Sequence, residues 1–326
     1  MLESTATGRR ISVSVVIPTY NRAHCVGEAI DSVLAQDPPA DEVIVVDDGS
    51  TDDTLEVLAG YGDRIFVIQQ SNAGAGAARN AGIRHACGEW VAFLDSDDLW
   101  YPGRLAILHR DLNSVSQAVI GHTGDMDLVS TDYEVSVFTL RKWHFPKGKG
   151  QLVQDCLRYA ISGIHPPVTA LNKAALQKVG GFQSSVRIYE DAPLFCHLAL
   201  AGPWIVTGDT LGVARRLDED IAPLTDIEQT NPVEAAEARV AYIQSVLGEG
   251  LNKSQTKFVA RSLSGAYFTL AAAQKKQCAP GEKTSLRKSI SYHPSKIRGS
   301  AKALIALLFR SYGYGIILKK RKKLAR

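Results

Sequence analysis

Four short, nearly uninterrupted apolar runs, each followed by a stretch of helical character, restrict the fold of this chain more than any other feature. Val13-Ser14-Val15-Val16-Ile17, Glu42 to Val46, Ile65 to Ile68 and Trp90 to Leu94 have strand length and no polar alternation. Strands of that kind are covered on both faces, which makes them members of a parallel sheet with helices above and below. Between them, Val26, Ala29, Ile30, Val33 and Leu34 recur at helical spacing. Asn21 is placed to cap that helix and Asp37-Pro38-Pro39 to end it. A short helix through Leu58 follows, capped by Ser50 or Thr51 and stopped at Gly60. The alanine-rich stretch from Ala75 to Ala86 is a third helix, and Pro102 opens a fourth at its first position.

The parallel sheet directs attention to one edge. In open α/β sheets, ligands sit beyond the carboxyl ends of the strands. Those ends here are Pro18-Thr19-Tyr20, Asp47-Asp48 and Asp95-Ser96-Asp97, all polar and mostly acidic.

The middle of the chain is less regular. Thr131 to Trp143 reads as one or two strands and Lys147-Gly148-Lys149-Gly150 as a loop. Asn172 to Val179 is a short helix ended by Gly180-Gly181, and Glu190 to Ala201 is a helix beginning with two acids, which suits its positive N-terminal dipole. After Pro232 the pattern is helical, over 233–247 and again from Ser254 to about Gln274.

Charge is unevenly distributed. The formal net charge is +3, yet Lys283 to Arg326 holds thirteen Lys and Arg and no acid. Apolar patches at Ala303–Phe309 and Ile316–Leu318 lie beside Lys319-Lys320-Arg321-Lys322-Lys323. Such a segment fits peripheral attachment to an anionic membrane surface, and equally a solvated tail or a basic helix end packed on the body. Nucleic acid is not expected, since aromatics are not interleaved with the cations. No apolar run approaches the roughly 20 residues needed to cross a bilayer, and no signal peptide is evident. The five cysteines, Cys25, Cys87, Cys156, Cys196 and Cys278, lack CxxC spacing and read as buried hydrophobes of a reducing compartment. The expected location is cytoplasmic, with a peripheral position on the inner face of the cell membrane as the tail's contribution.

Asp95-Ser96-Asp97 carries the clearest chemistry. At an extended strand end, residues two apart point to the same side, so both carboxylates face one ligand. A departing diphosphate needs its charge stabilised, and a hard divalent cation (Mn2+ or Mg2+) held by carboxylates, phosphate oxygens and water supplies that. Asp48, at the neighbouring strand end, offers an acceptor to the N–H of a pyrimidine base, while Asp-Asp-Gly-Ser-Thr also suits a helix N-terminus. Asn72 to Asn80 is glycine-rich but is not a dinucleotide fingerprint, because the third glycine position falls on Arg79. Arg79 is a candidate phosphate or base contact, or an ion-pair partner of Asp95 or Asp97.

Taken together, Val15 to Arg22, Val45 to Asp52, Asn72 to Gly82 and Phe93 to Asp98 resemble the family 2 glycosyltransferases of GT-A fold. The likeness is strong over the N-terminal half, weaker to about Pro203, and does not extend beyond Pro232. It implies a Rossmann-like, mostly parallel sheet flanked by helices and an inverting transfer from a nucleoside diphosphate sugar, usually a UDP-sugar, with a divalent cation. It also implies roles. Pro18, Thr19 and Tyr20 would border the nucleoside, and Asp48 would hold the base. Asn72, Arg79 and Ser96 would join the nucleotide contacts. Asp95 would meet ribose or metal, Asp97 the metal. Gly180-Gly181-Phe182 followed by Tyr189-Glu190-Asp191 maps the catalytic base to Asp191, with Glu190 as orienting partner or acceptor contact. Single displacement with inversion requires one such carboxylate to take the acceptor proton. The family's aromatic-Arg-x-His segment is replaced by Ala214-Arg215-Arg216-Leu217-Asp218, and His165 either lines the acceptor side or is a loop or core histidine.

The resulting expectation is a GT-A domain over 1–215, with a nucleotide half at 11–110 and an acceptor half at 111–215, and a helical extension over 216–326. The acceptor would be a saccharide or lipid-linked saccharide used in cell-surface polysaccharide or glycolipid synthesis. Two other readings compete: a nucleotidyltransferase making sugar nucleotides, and a non-catalytic sugar-nucleotide-binding protein. The absence of a glycine-rich basic loop after the first strand disfavours the former, and the full set of carboxylates the latter.

Overall fold

The structure is a computed structural model that describes residues 9–131, 133–184, 186, 188–215, 230–248 and 250–292. The chain divides near residue 220 into two compact units.

The first unit is built on one sheet. Strands β1 (Val13–Thr19), β2 (Glu42–Asp47), β3 (Phe66–Gln69) and β4 (Trp90–Phe93) run parallel in the order β3-β2-β1-β4. Helices α1 (Val26–Leu34), α2 (Thr54–Ala59) and α3 (Ala75–His85) connect them. β1 is buried along its whole length, as uniform apolarity requires of a central strand. Beyond β4 the sheet becomes mixed. β9 (Thr169–Asn172) pairs antiparallel with β4 and with β6 (Gly121–Ser130). β6 runs parallel to β10 (Trp204–Arg215), and β5 (Leu99–Trp100), β7 (Tyr133–Ser136) and β8 (Gln151–Val153) add antiparallel edges. The remaining helices of this unit are α4 (Arg104–Asn113), α5 (Val137–Arg141), α6 (Leu157–Gly163), α7 (Lys173–Val179) and α8 (Ala192–Ala201).

One core of fully buried side chains joins β1, β2 and β4 to α1 and α4, with Val15, Ile17, Ile30, Val45, Ala92 and Leu105 at its centre. On the other face α3 lies against β1 so closely that a Cβ on Gly82 would come within 2.4 Å of a methyl of Val16. That approach fixes the position of the helix whose first turns carry Arg79.

Several local expectations are corrected. Asn21 does not cap α1, whose N-cap is Cys25. Held at φ 51°, it joins two strand ends instead: its N–H donates to Ser50 Oγ (2.9 Å) and its Oδ1 accepts from the Thr51 N–H (2.7 Å). α2 starts later than expected, at Thr54, whose N–H donates to Asp52 (3.1 Å) rather than to Ser50 or Thr51. Pro102 precedes α4 by two residues, with Gly103 as N-cap. Thr131 to Trp143 splits into β7 and α5, because the Ser136 side chain accepts from the Thr139 N–H and turns strand into helix. α8 begins after Glu190 and Asp191, so neither acid lies in its first turn and Asp191 makes no side-chain cap bond. β6 and β10 have no sequence signal: Gly-His-Thr-Gly-Asp-Met-Asp mixes small, polar and apolar residues, and the pairing with β10 is what makes it strand.

The second unit holds α9 (Pro232–Ser245), α10 (Lys253–Lys276) and α11 (Glu282–Tyr292). α10 opens with a reciprocal capping box between Asn252 and Gln255. It packs on α11 through Phe268, Ala271, Leu286 and Ile290, and the Ser285 hydroxyl donates to Gln274 Oε1 (2.9 Å). Lys283 to Tyr292, the start of the expected basic tail, belongs to α11, and the rest of that tail lies outside the described residues. No described helix is long and apolar enough to cross a membrane.

The contact between α3 and β1 gives a direct check. Gly82→Val should destabilise the protein by at least about 2 kcal/mol through overpacking against Val16, read as a lowered urea midpoint with an unchanged m-value.

Candidate active site

The carboxyl ends of β1, β2 and β4 deliver side chains to one place. β4 stops at Phe93, and Asp95 to Asp98 close a turn through the Asp98 N–H to the Asp95 carbonyl (3.1 Å). The extended strand end expected for Asp95-Ser96-Asp97 is therefore a turn. It achieves the same division of faces: Asp95 and Asp97 are partly exposed, with Ser96 and Asp98 buried beneath them. Burial and the nearby Asp95 and Asp97 hold the Asp98 carboxyl well above the usual carboxylate range.

Arg79 joins this turn to a segment a hundred residues away. Its guanidinium donates to Asp95 Oδ1 (2.6 Å) and to Glu190 Oε1 (2.6 Å), and it lies over the ring of Phe182 (5.3 Å to the centroid). Its side chain is only 5% exposed, so both ion pairs are shielded from water. The two carboxylates outweigh the cost of burial and raise the Arg79 pKa above its ordinary value. Of the alternatives open for Arg79, the structure shows the ion pair, to Asp95 and also to Glu190. Nε remains a buried donor with no partner.

Phe182 and Glu190 are themselves held from α3. Asn80, next to Arg79, donates its amide to the Phe182 carbonyl and accepts from the Phe182 N–H, both at 2.8 Å. The fit requires glycine before Phe182, because Gly181 has φ 78° and a Cβ there would lie 2.5 Å from Asn80 Oδ1. Gly76 abuts the Glu190 Cγ in the same way, at 3.3 Å from a built Cβ.

Asp191 follows Glu190 and precedes α8. Burial, reinforced by the Glu190 charge and opposed by Arg79, pushes its carboxyl up to about 7. It is half-buried by surface and deep among heavy atoms, an arrangement that raises a pKa while leaving an oxygen accessible.

Asp48 behaves differently from a free base acceptor. Its Oδ1 accepts from the Gln70 amide (2.7 Å) and the Ala73 N–H (2.9 Å), and its Oδ2 from the Gly74 N–H (2.7 Å). It shapes the loop that carries exposed Asn72 into α3, with Gln70 as the exchangeable partner. Asp47 is buried and accepts from the Ser50 N–H. Pro18 and Thr19 are buried at the end of β1, where Thr19 Oγ1 has no partner, and Tyr20 stands out at 43% exposure.

Two arginines without an assigned role complete the site. Arg22 lies 3.6 Å from Asp97 Oδ2. Arg215, at the end of β10, donates from Nε to the Asp97 carbonyl (3.3 Å) and pairs with Glu28. Its NH2 is buried and without a partner. Arg216 to Asp218 lie outside the described residues. Five carboxyls and three guanidiniums thus crowd one strand edge. His165 belongs to this neighbourhood as well: burial and the Arg141 charge lower its pKa to about 4, and Asp95 opposes them. It is a neutral histidine within electrostatic reach of Asp95.

A divalent cation can be tested against these groups. Among the described residues no set of three or more His, Cys, Asp or Glu would hold a metal by itself. Asp97 and the second oxygen of Asp95 form a two-carboxylate set that suits Mg2+ or Mn2+ only when phosphate oxygens and water complete the shell, which is how such ions bind beside a diphosphate.

Removing the central cation should expose this balance. Arg79→Met leaves Asp95 and Glu190 unpaired in a buried setting, worth about 3 kcal/mol. The loss should grow from pH 5 to pH 8 as the carboxyls ionise, measured by urea melts at both values.

Comparisons with known proteins agree with this geometry. An uncharacterised glycosyltransferase of Rickettsia typhi is 33% identical over 184 residues, covering 56% of this chain and 57% of its own. The chain thus spans little more than half the length of such curated relatives. Among solved structures, TarS of S. aureus superposes with a TM-score of 0.68 at 20% identity, over 96% of this chain and 92% of that one, and has also been solved with UDP-GlcNAc. The mannosyltransferase PcManGT of Pyrobaculum calidifontis, solved with GDP-Man and Mn2+, gives 0.55 at 20% identity over 93% and 88%. These two likenesses fix the fold as GT-A. The family model described as glycosyl transferase family 2 matches residues 14–180, half of the chain. By that match and by the turn, helix and strand ends just described, the chain belongs to glycosyl transferase family 2.

Proposed function

We propose that the protein transfers a sugar from a nucleoside diphosphate sugar, a UDP-sugar in the first instance, to an acceptor hydroxyl with inversion at the anomeric carbon. The observation that carries this reading is Asp191, a carboxyl raised to about 7 beside the Asp95–Asp97 turn. A general base is most effective when its pKa lies near the working pH.

In this reading β1 and β2 receive the nucleoside. Tyr20 offers its exposed ring to the base, and Thr19 Oγ1, a buried oxygen with no partner, awaits a hydrogen bond. Asp48 keeps Ala73 and Gly74 in place and reaches the base by exchanging Gln70. Asn72 and Ser96 flank the nucleotide. Asp95 and Asp97 would hold Mn2+ or Mg2+ together with the diphosphate, and that ion would stabilise the charge of the leaving group. Arg22 and Arg215 keep the Asp97 segment from self-repulsion and stand near the departing diphosphate.

On the acceptor side, the hydroxyl oxygen attacks C1 as the C1–O bond to the diphosphate breaks, and Asp191 takes the hydroxyl proton. Glu190 acts through Arg79: their 2.6 Å bond holds the residue next to Asp191 in register with Asp95. Inversion follows from a single displacement on the face opposite the leaving group. The acceptor is proposed to be a saccharide or lipid-linked saccharide of the cell surface, with the protein peripheral to an anionic membrane through 283–326.

Asp191→Asn separates base from scaffold. It should leave affinity for the nucleoside diphosphate unchanged within about twofold while transfer falls by at least about a hundredfold, measured by calorimetry and by sugar transfer in parallel. Equal loss of both would assign Asp191 a structural role. In the wild type, transfer should rise with pH up to about 7 and then level. Stability moves the other way. Because the folded pKa stands above the ordinary 3.8, the native state loses stability as pH rises from about 4 to 7. Asp191→Asn should therefore melt higher than wild type above pH 7 and no higher below pH 4.

Asp97→Ala tests the cation. It should abolish the gain in nucleoside diphosphate affinity brought by Mn2+, and an undiminished gain would remove the metal from Asp97.

A further inference from the structure

The catalytic pocket repels one class of acceptor. Asp95, Asp97, Glu190 and Asp191 would push away any phosphate carried by the acceptor, so such a phosphate needs cations outside the pocket. The chain has them in one place. From Val135 to Gln154 there is no acidic residue, and Lys142, Lys147 and Lys149 are all exposed and make no ion pair among the described residues. Acids are otherwise plentiful in this unit, so a twenty-residue stretch without one stands apart.

The strip is fixed in position. Phe138, Trp143, Phe145 and Tyr159 pack ring on ring at 4.9–5.6 Å beneath it. The Gly148 N–H donates to Asp209 (2.8 Å) and the Gly150 N–H to buried Asp111 (2.9 Å). Lys142 closes α5 in the left-handed region, at φ 56°, where glycine or asparagine is usual. A lysine held there costs about 1 kcal/mol, and residues kept in that region tend to gather at ligand sites.

The strip also leads to the site. The Arg141 guanidinium lies 3.1 Å from a Cβ built on Gly163, the His165 ring 4.0 Å from the same point, and His165 senses Asp95. Phe138, Trp143 and His165 line one cavity. A route runs from Asp95 past His165 and Arg141 to the three lysines. Beside them stand Leu140, 57% exposed, and Tyr133, 43% exposed, two of the five large apolar side chains that the described residues leave open to solvent. Cations flanked by open apolar surface match a phosphate with an alkyl chain, more than a hydrophilic polyanion.

We propose that Lys142, Lys147 and Lys149 bind the phosphate of an acceptor glycan carried on a lipid through a phosphate ester, with Leu140 and Tyr133 against the lipid. The proposal rests on the acceptor-side reading given above and names the surface and chemistry that reading leaves open. It makes the strip, rather than the catalytic pocket, the selector for lipid-carried over free saccharides.

Farnesyl phosphate is the probe, with inorganic phosphate as the head alone and farnesol as the tail alone. Each is titrated by calorimetry into the full-length protein saturated with UDP, which keeps phosphate out of the donor site. Farnesyl phosphate should bind, and the triple variant Lys142→Glu, Lys147→Glu, Lys149→Glu should weaken it at least about tenfold with UDP affinity unchanged. The double variant Lys147→Gln, Lys149→Gln, which leaves the left-handed position untouched, should weaken it in the same direction. Leu140→Ser should weaken farnesyl phosphate and leave inorganic phosphate unaffected. Variants that bind farnesyl phosphate as well as wild type overturn the proposal, as does farnesol or inorganic phosphate binding equally tightly. Failure of the wild type to bind UDP would instead remove the donor reading, and the same variants titrated without UDP would still decide the strip.

Discussion

A single buried guanidinium ties the two halves of this site together. Arg79 comes from the second turn of α3, Asp95 from the turn after β4 and Glu190 from the approach to α8, and three separate parts of the chain meet only because that cation lies between the carboxylates. The desolvation it suffers is large, and one carboxylate would compensate it poorly. Two, with Phe182 beneath, hold it charged. Asn80 then pins Phe182 through two further bonds, so the position of Asp191 relative to the Asp95–Asp98 turn is set from a helix that carries neither.

The same electrostatics explain why the acids differ in character. Asp98 is pressed beneath Asp95 and Asp97 and resists ionisation. Asp48 is surrounded by donors and serves the loop. Asp191 has burial and Glu190 on one side and Arg79 on the other, and the contest brings it near neutrality. Residue type alone would give all of them one pKa. Burial and the identity of the nearest charge separate them.

Much of the fold was legible because its signals are local. The four strands β1 to β4 announce themselves by uniform apolarity, and α7 by Asn172 at its start and Gly180 at its end. The strand ends that form the site followed from the parallel order. Other parts were silent for physical reasons. β6 and β10 owe their form to each other, with two register shifts between them, and their composition does not alternate. Asn21, Ser50 and Thr51 read as caps, yet their side chains join β1 to β2 across thirty residues, a use that no local pattern reveals. Arg22 and Arg215 carried no spacing that marks them as partners of the Asp97 segment, and only the curl of chain from β10 brings Arg215 there.

By itself, the order of residues determined the parallel half-sheet, the edge at which a ligand would sit, the Asp95 and Asp97 pair, and Glu190-Asp191 as the acids opposite. Those features depend on hydrophobic period and on neighbours a few positions apart, which the chain displays openly. Tertiary structure alone decided that Arg79 serves carboxylates on two sides, that Asp95 to Asp98 form a turn, that Asp48 clamps a loop, and that Asp191 titrates near neutral pH. Each of these is a matter of distance and desolvation between residues far apart in the chain, and neither quantity exists until the chain has closed upon itself.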